Sequence, residues 1–499
     1  MPDTPITPTE RPVHFLHRGQ LQQVGGLPPT TTVLQWLRGH AHCTGSKEGC
    51  AEGDCGACTV VVATPDAQAP GGVRLDNVNA CIQFLPTLDG KALYTVEDVA
   101  PTPDTLHPCQ QALVQCHGSQ CGFCTPGFVM SMWQLYQAHD QAPPREALAD
   151  ALSGNLCRCT GYRPILDAAQ QMFDAPRQVL DTAPVAQALA ALPDSTLVLG
   201  REPGQRFIAP RSLAEFAQWR AALPEARILA GATDIGLWVN KQFRTLGDIL
   251  YVGQVPELRA ITPWADGKGL SIGAAASLEA AWSALAERLP ALKELWLRFA
   301  SPPVRRAGTL GGNVANGSPI GDAPPVLLAL GAELVLRHGE HTRRVPLSGF
   351  YLDYMKNDLQ PGEFLQSIEV PWPTAGQMVR AYKVSKRRDS DISAVCAAFG
   401  LTVEHGVITE ARVAYGGMAA TARRAALVEQ ALVGHPWNEA TVQRAQAALA
   451  QDFTPLSDLR ASQGYRQQVA ANLIRRCWLE TRPQAPMAGD QVEVWPAVV

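Results

Sequence analysis

The chain has 499 residues, of which 46% are hydrophobic and 18% charged, with a formal net charge of −4. This composition is ordinary for a globular protein, and at ~150 residues per domain the length predicts about three domains. The near-neutral charge gives no reason to expect a nucleic-acid partner. The N-terminal stretch lacks a signal-peptide pattern, and no run approaches the ~18 apolar residues of a membrane span. We therefore expect a cytoplasmic protein without membrane association.

The first 95 residues have the pattern of a small β-rich domain. Residues 13–24 alternate apolar and polar side chains around His17-Arg18-Gly19, which predicts a hairpin. A short helix is expected from Thr30 to Leu37, and Thr59–Ala63 is a β-rich run.

The cysteines are concentrated in the first third of the chain, where eleven of the 13 precede residue 160. A secreted disulfide scaffold is usually short and carries a signal peptide, and neither feature is found here. Clustered cysteines in a reducing compartment favour metal ligation or redox chemistry.

The segment CAEGDCGAC contains the first cysteine group. Cys50, Cys55 and Cys58 have the spacing C-x4-C-x2-C, and Cys81 follows after 22 intervening residues. This is the plant-type spacing for a [2Fe–2S] cluster. The interspersed glycines allow positive φ and let backbone N–H groups approach the sulfurs. The alternative is a four-cysteine zinc site, which usually uses two short C-x2-4-C pairs.

The second cysteine group lies within residues 105–174, which are predicted to be helical. CGFCTPG supplies Cys121 and Cys124, and LCRCTGYRP supplies Cys157 and Cys159. Each pair leads into a predicted helix, with Pro126 suited to a first helical turn. Two helix N-termini would then aim partial positive charge at one site. A zinc site remains an alternative, whereas a thioredoxin-like redox switch would place C-x-x-C beside a βαβ pattern.

The order of these motifs, with CHGSQCGFCTPG and GNLCRCTGYRP, resembles the molybdenum hydroxylases. The resemblance implies two [2Fe–2S] clusters, and their ligands would be Cys50, Cys55, Cys58, Cys81, Cys121, Cys124, Cys157 and Cys159. Cys43, Cys109 and Cys116 match no ligand position, and we expect buried or partly buried free thiols there.

The remaining sequence lacks a Rossmann G-x-G-x-x-G after a strand and lacks a P-loop. Two glycine-rich segments, ILAGATDIG (228–236) and TLGGNVANGSPIGD (309–322), would let the backbone approach a phosphate. Surface turns are the alternative.

Both segments resemble the FAD-binding loops of the vanillyl-alcohol-oxidase-like flavoprotein fold found in the same family. The resemblance implies that the loops hold the pyrophosphate and that Phe299 lies against the isoalloxazine ring. The implied FAD contacts are Ile228, Leu229, Ala230, Gly231, Ala232, Thr233, Asp234, Ile235, Phe299, Thr309, Leu310, Gly311, Gly312, Asn313, Ser318, Asp322, Leu365 and Lys383. The charged stretch 382–393 is either a solvated loop or, as the resemblance implies, shapes the approach of NAD⁺ through Lys386, Arg387, Arg388 and Asp389.

The resemblance implies an α+β multidomain fold. The expected parts are a β-grasp ferredoxin-like domain (1–95), a helical [2Fe–2S] bundle domain (96–175), a linker (176–205), a FAD-binding α+β domain of the vanillyl-alcohol-oxidase-like type (206–378) and a C-terminal α+β flavoprotein domain (379–499). Within the last domain, Val395–Val403 and Val407–Tyr415 are predicted strands followed by helices.

No segment is left for a molybdenum domain, so the resemblance implies an iron–sulfur/FAD subunit without catalytic side chains of its own. Molybdopterin and the substrate pocket would belong to a molybdenum-binding large subunit, in a heterotetramer of two small and two large chains. Electrons would pass from molybdenum to the helical-domain cluster, the ferredoxin-like cluster, FAD and finally NAD⁺, giving NADH. The implied reaction oxidises hypoxanthine and xanthine to uric acid. The alternatives are oxidation of an aldehyde or N-heterocycle, and a zinc-stabilised, non-catalytic assembly protein.

Overall fold

The chain folds into two compact units. The computed structural model describes residues 10–100, 102, 104–488 and 491. One unit comprises the residues up to Pro256 together with Ser301–Gly308, and the other comprises Glu257–Ala300 together with the residues from Thr309 onward. Both units combine helices with β-sheets, which confirms the predicted α+β multidomain class. Within the described ranges, no helix is both long and apolar enough to cross a membrane.

A five-stranded sheet packed against one helix forms the N-terminal region. Its elements are β1 (Val13–His17), β2 (Gln20–Val24), α1 (Val33–Gly39), β3 (Thr59–Pro65), β4 (Val73–Asn79) and β5 (Ala92–Tyr94). The strand order is β2-β1-β5-β3-β4, and β1 pairs with β5 in parallel. Thr32 and Gln35 form a capping box that starts α1. The predicted hairpin, helix and strand are therefore confirmed.

Four helices follow, and they confirm the helical prediction for residues 105–174. They are α2 (Pro108–Gln115), α3 (Thr125–Ala138), α4 (Arg145–Leu152) and α5 (Arg163–Gln171). Helix α3 is the central element, because every side chain from Phe128 to Tyr136 is buried. Pro126 and Pro164 occupy the first turns of α3 and α5, where the missing N–H costs nothing.

The segment expected to be a linker is instead structured. Residues 176–205 contain α6 (Ala183–Ala190) and β6 (Leu197–Leu199), and Leu189 packs against Ala63 and Val73 of the first sheet. The composition fits both structures, because an Ala-rich stretch with proline in its first turn forms a helix as readily as it forms a linker.

Strand β6 opens a second sheet in the same unit. The further elements are β7 (Phe207–Ala209), α7 (Leu213–Ala222), β8 (Arg227–Leu229), α8 (Ile235–Asn240) and β9 (Ile249–Tyr251), with the strand order β6-β7-β9-β8. Phe207 and Leu229 share an apolar core with Phe15 and Val60, so this sheet and the N-terminal sheet pack as one body.

The described residues of the second unit form two larger sheets and one two-stranded sheet. The first part of it is α9 (Pro256–Arg259), β10 (Ile261–Trp264), β11 (Gly269–Gly273), α10 (Leu278–Arg288) and α11 (Lys293–Leu297). After α12 (Pro302–Ala307), which lies in the first unit, it continues with α13 (Leu310–Asn316), α14 (Ala323–Leu330), β12 (Glu333–His338), β13 (His341–Pro346), β14 (Tyr351–Asp353), β15 (Lys356–Asn357) and β16 (Phe364–Pro371). Five strands form an antiparallel sheet in the order β10-β11-β16-β12-β13.

The C-terminal part is strands first and helices last, as predicted. It comprises β17 (Gln377–Val384), β18 (Val395–Glu404), β19 (Val407–Gly416), β20 (Arg423–Arg424), α15 (Ala426–Leu432), α16 (Glu439–Asp452) and α17 (Gln463–Thr481). The four strands form one antiparallel sheet.

Helix α12 is held in the first unit by two arginines. Arg305 is fully buried, and its Nη2 donates to both carboxylate oxygens of Asp150 in α4, at 2.8 and 3.1 Å. Arg306 donates to Gln134 Oε1 at 2.8 Å and to Asn77 Oδ1. A buried charge is tolerated only when it is paired in this way.

We expect Asp150→Ala to lower the free energy of unfolding of the first unit by about 3 kcal/mol, because it leaves the buried Arg305 without its carboxylate partner. Urea unfolding followed by circular dichroism measures the change. Asp167→Ala is the matched control, because Asp167 pairs with Arg145 at 2.8 Å but is 46% exposed, and its loss should cost under about 1 kcal/mol. Equal losses for both variants would contradict the account.

Candidate functional site

The structure brings the four cysteines of the first group together. Cys50, Cys55 and Cys58 lie in the loop before β3, and Cys81 follows β4. Cys58 and Cys81 are buried, whereas Cys50 and Cys55 are half-buried. The N–H groups of Cys55 and Glu52 donate to Cys50 Sγ at 3.3 and 3.5 Å. Hydrogen bonds from the thiols of Cys55 and Cys81 lower the pKa of Cys50.

Glycines make this loop tight. A Cβ at Gly49 would lie 2.8 Å from Cys55 Sγ, and one at Gly53 would lie 2.7 Å from Ile82 Cδ1. Gly53 and Gly56 also have positive φ, +80° and +68°. The predicted need for glycine around the thiols is therefore a matter of both space and backbone conformation.

The second group converges between two helix starts. Cys124 immediately precedes α3, and Cys159 lies four residues before α5. The Cys121 thiol contacts that of Cys159, and the Cys124 thiol contacts that of Cys157. Burial, followed by the hydrogen bond to Cys157, raises the pKa of Cys124 to about 12. In contrast to the first group, two of these thiols, Cys121 and Cys159, are exposed.

Both groups fit a two-iron cluster. A [2Fe–2S] cluster needs four thiolates, and each group presents four neighbouring sulfurs. In the first group Cys81 contacts both Cys50 and Cys58, and Cys50 also contacts Cys55. Among the described residues, no three His, Cys, Asp or Glu side chains are grouped as ligands of one metal ion. Backbone N–H groups already point at Cys50 Sγ and would stabilise a negatively charged centre there.

The three other early cysteines are free thiols, as predicted. Cys43 and Cys109 are buried, and Cys116 is half-buried with its Sγ 2.9 Å from Gln171 Oε1. Burial raises the pKa of Cys109 to about 12, which makes this thiol unreactive at neutral pH.

The first glycine-rich segment is the turn from β8 into α8. Leu229 and Ala232 are buried in the core, whereas Thr233 is half-buried and Asp234 is exposed. Ala232 has a φ of +59°, an uncommon conformation for a residue with a Cβ. A Cβ at Gly231 would collide with the carbonyl of Ala307, so only glycine fits between the turn and α12.

The second segment caps and begins α13, in the other unit. Thr309 Oγ1 accepts the N–H of Gly312 at 3.0 Å, and Gly311 packs so closely on Ala274 that a Cβ would overlap its carbonyl oxygen. Gly312 is exposed. Asn313 Oδ1 is buried without a hydrogen-bond partner among the described residues. An orphaned acceptor of this kind beside an open glycine backbone fits a ligand that brings hydroxyl groups and phosphates, as FAD does.

Among the remaining predicted flavin contacts of this unit, Lys383 lies near Phe299. Phe299, Leu310 and Leu365 belong to one buried apolar cluster. Lys383 Nζ is 6.0 Å from the Phe299 ring centroid and donates to Asp322 Oδ2 at 2.6 Å. Ser318 is half-buried in the turn between α13 and α14. Asp322 and Lys383 therefore form a buried ion pair whose ammonium lies over the Phe299 ring.

The charged stretch after β17 is an exposed loop fixed at several points. Lys386 Nζ donates to the Leu459 carbonyl at 2.8 Å, and the N–H of Arg387 donates to Asp391 Oδ2 at 2.7 Å. Arg298 Nη2 donates to Ser385 Oγ at 3.2 Å. Ser393 Oγ, at the other end, donates to Asp322 Oδ1 at 2.5 Å. The loop is thus tied to the Phe299 region at both ends.

Two side chains that contact the first cysteine group were not predicted from the sequence. Asn240, at the end of α8, donates from Nδ2 to the carbonyls of Cys81 and Ala51, at 2.7 and 3.1 Å. Asn155 donates to Gly56, inside the first cysteine loop. Asn155 stands two residues before Cys157, so its position in the cysteine motif could have indicated a contact with this region. Nothing in the sequence places residue 240 beside residue 81.

Comparison with known proteins gives three matching families. They are a [2Fe-2S] binding domain over residues 95–170, the FAD binding domain in molybdopterin dehydrogenase over 203–373, and the CO dehydrogenase flavoprotein C-terminal domain over 380–481.

The chain is also similar in sequence to two known proteins and to one chain of a solved structure. The chain is 32% identical to a xanthine dehydrogenase of Drosophila pseudoobscura pseudoobscura over 92% of its length, and 32% identical to aldehyde oxidase 2 of Macaca fascicularis over 85%. It spans only 38% and 36% of those two proteins. A carbon monoxide dehydrogenase chain from Hydrogenophaga pseudoflava is 30% identical, with a TM-score of 0.51 over 54% of this chain and 94% of that one.

The difference in thiol exposure predicts how iron would be lost. With the chain alone, we expect a chelator under reducing conditions to remove iron in two phases, the fast phase accounting for about half of it, because Cys121 and Cys159 are exposed while Cys58 and Cys81 are buried. Iron release timed against alkylation of each cysteine, read by mass spectrometry, checks this. Earlier alkylation of Cys58 or Cys81 than of Cys121 would contradict it.

Proposed function

This chain belongs to the molybdenum hydroxylase family as an iron–sulfur/FAD subunit, and on that premise we propose that it transfers electrons in a xanthine dehydrogenase. The observation that carries the proposal is the presence, in one chain, of two four-thiol groups whose loops touch and of two flavin-type glycine segments. Leu156 N–H donates to the Cys55 carbonyl at 3.0 Å, which joins the two cysteine loops directly.

The residues divide into three proposed binding sites. Cys50, Cys55, Cys58 and Cys81 hold one [2Fe–2S] cluster. A second cluster is held by Cys121, Cys124, Cys157 and Cys159, and the segments 228–235 and 309–313 hold FAD with Phe299 against its ring. When bound, the clusters exchange single electrons and FAD exchanges two. The chain itself positions these groups, shields the first cluster and supplies the N–H donors and the buried Asp322–Lys383 pair.

The proposal includes a partner, a substrate and an acceptor. The partner is a molybdenum-binding chain that carries molybdopterin and oxidises hypoxanthine and xanthine to uric acid. The acceptor is NAD⁺, approaching along the loop of Lys386 and Arg387. Two observations support this choice. The similarity to xanthine dehydrogenase extends over 92% of the chain, and iron–sulfur and flavin parts share one polypeptide.

Aldehyde oxidation is the second candidate, because aldehyde oxidase 2 is also 32% identical to this chain. The two candidates differ in substrate and acceptor. Reduction of the flavin by xanthine and its rapid reduction by NADH favour the first, whereas reduction by an aldehyde with no response to NADH favours the second.

We expect Cys121→Ser, in the complex with the partner chain, to abolish reduction of FAD by xanthine but to leave its reduction by NADH unchanged, because the cluster of Cys121 would precede FAD on the path from molybdenum. Stopped-flow absorbance of the flavin measures both rates.

Cys116→Ser is the control variant, since Cys116 lies in the same helical region but is a free thiol bonded to Gln171. It should reduce FAD at the wild-type rate with either donor. Equal loss of xanthine-driven and NADH-driven reduction in a well-folded Cys121→Ser protein would show that the proposed order is wrong.

A further inference from the structure

The two cysteine loops meet backbone to backbone. The N–H of Leu156, the residue before Cys157, donates to the carbonyl of Cys55 at 3.0 Å. One hydrogen bond and a few covalent bonds therefore link a predicted ligand of one cluster to a predicted ligand of the other.

Glycines permit this close approach. A Cβ at Gly56 would collide with the carbonyl oxygen of Gly154, and a Cβ at Gly127 would collide with that of Gly56. All three glycines are buried. The contact between the loops is thus a packed interface in which no side chain separates the two backbones.

The side-chain amide of Asn155 holds the interface together. Asn155 is 2% exposed. Its Nδ2 donates to the Gly56 carbonyl at 3.0 Å and to Thr59 Oγ1 at 3.1 Å, while its Oδ1 accepts from Ser131 Oγ at 2.6 Å. One side chain therefore connects the first cysteine loop, the start of β3 and the helix that follows Cys124.

The network around this amide is satisfied. Ser131 Oγ accepts from Asn77 Nδ2 at 3.3 Å, and Thr59 Oγ1 donates to the Gly56 carbonyl at 2.7 Å. Asn77, Ser131 and Thr59 are each 1% exposed. A fully bonded buried network of this kind rigidifies its surroundings and is costly to disturb.

We propose that Asn155 is a positioning residue that sets electron transfer between the two clusters by fixing the Leu156–Cys55 hydrogen bond. The inference rests on the proposed function. Cys157 would hold the cluster that gives up one electron, and Cys55 would hold the cluster that accepts it, with no bond broken and no proton moved. The rate of electron transfer falls exponentially with the distance between the two clusters. A small shift of either cysteine loop would therefore slow the transfer while leaving both clusters bound.

The test uses the complex with the partner chain and compares wild type with Asn155→Ala and Asn155→Asp. Both variants should keep their iron and two separate EPR signals. We expect weaker magnetic interaction between the two signals at low temperature and a reduction of FAD by substrate that is slower by about tenfold, below the roughly hundredfold cost that a 1 Å misplacement can have in a bond-forming step. Reduction of FAD by NADH should not change.

Gln254→Ala is the matched control, because Gln254 is also a buried amide that donates to a backbone carbonyl, that of Asp89 at 2.7 Å, outside both cysteine loops. Ser131→Ala removes the bond to Asn155 Oδ1 together with the bond accepted from Asn77 Nδ2, and it keeps the Asn155 side chain. It serves if the Asn155 variants do not fold, and it should show the same effects in weaker form. Unchanged magnetic interaction and rate in the folded variants, or an equal slowing in Gln254→Ala, would overturn the inference. Absence of EPR signals in the wild-type protein would instead overturn the proposed function.

Discussion

The arrangement of the first unit depends on the close contact between two cysteine loops that are about one hundred residues apart in sequence. Gly56 and Gly127 leave no space for a Cβ at this contact. The loops therefore approach until Leu156 reaches the Cys55 carbonyl. If each four-cysteine group holds a one-electron carrier, electrons must pass from one carrier to the other. The backbone contact between the two loops keeps that distance short. The N-terminal sheet and the helical bundle act as supports for this contact.

Other elements of the first unit are anchored to the same region. Helix α12 is fixed by the buried Arg305–Asp150 pair and by Arg306, which donates to Asn77 beside the Asn155 network. Helix α8 begins at the first glycine-rich segment and ends at Asn240, which donates to the Cys81 carbonyl at 2.7 Å. The first flavin-type segment is therefore one short helix away from the first thiol group. Such an arrangement suits a protein whose task is to position redox groups.

Local elements that depend on residue spacing were predictable from the sequence, whereas side-chain contacts between distant parts of the chain were not. The cysteine spacing, the proline at the start of α3 and the alternation around Arg18 each predicted local structure that the fold contains. The stretch 176–205 was misjudged because its composition suits both a linker and a helix, and burial of Leu189 decides between them. The hydrogen bonds of Asn240 and Arg305 could not be predicted from the sequence, since their partners lie 159 and 155 residues away. The two glycine-rich segments were predicted from their residues as possible phosphate sites, and their assignment to FAD, with the other flavin contacts, came from resemblance. For these, the orphaned Asn313 Oδ1 is the structural support.

Cofactor content decides whether this chain carries two [2Fe–2S] clusters and FAD. Iron, zinc and flavin are measured per chain, and EPR spectra are recorded after reduction with dithionite. The account predicts about four irons, one FAD, no zinc and two distinct rhombic signals, because each four-thiolate group takes two irons. Stoichiometric zinc with no flavin and no EPR signal would contradict it, since the thiol groups would then be structural sites.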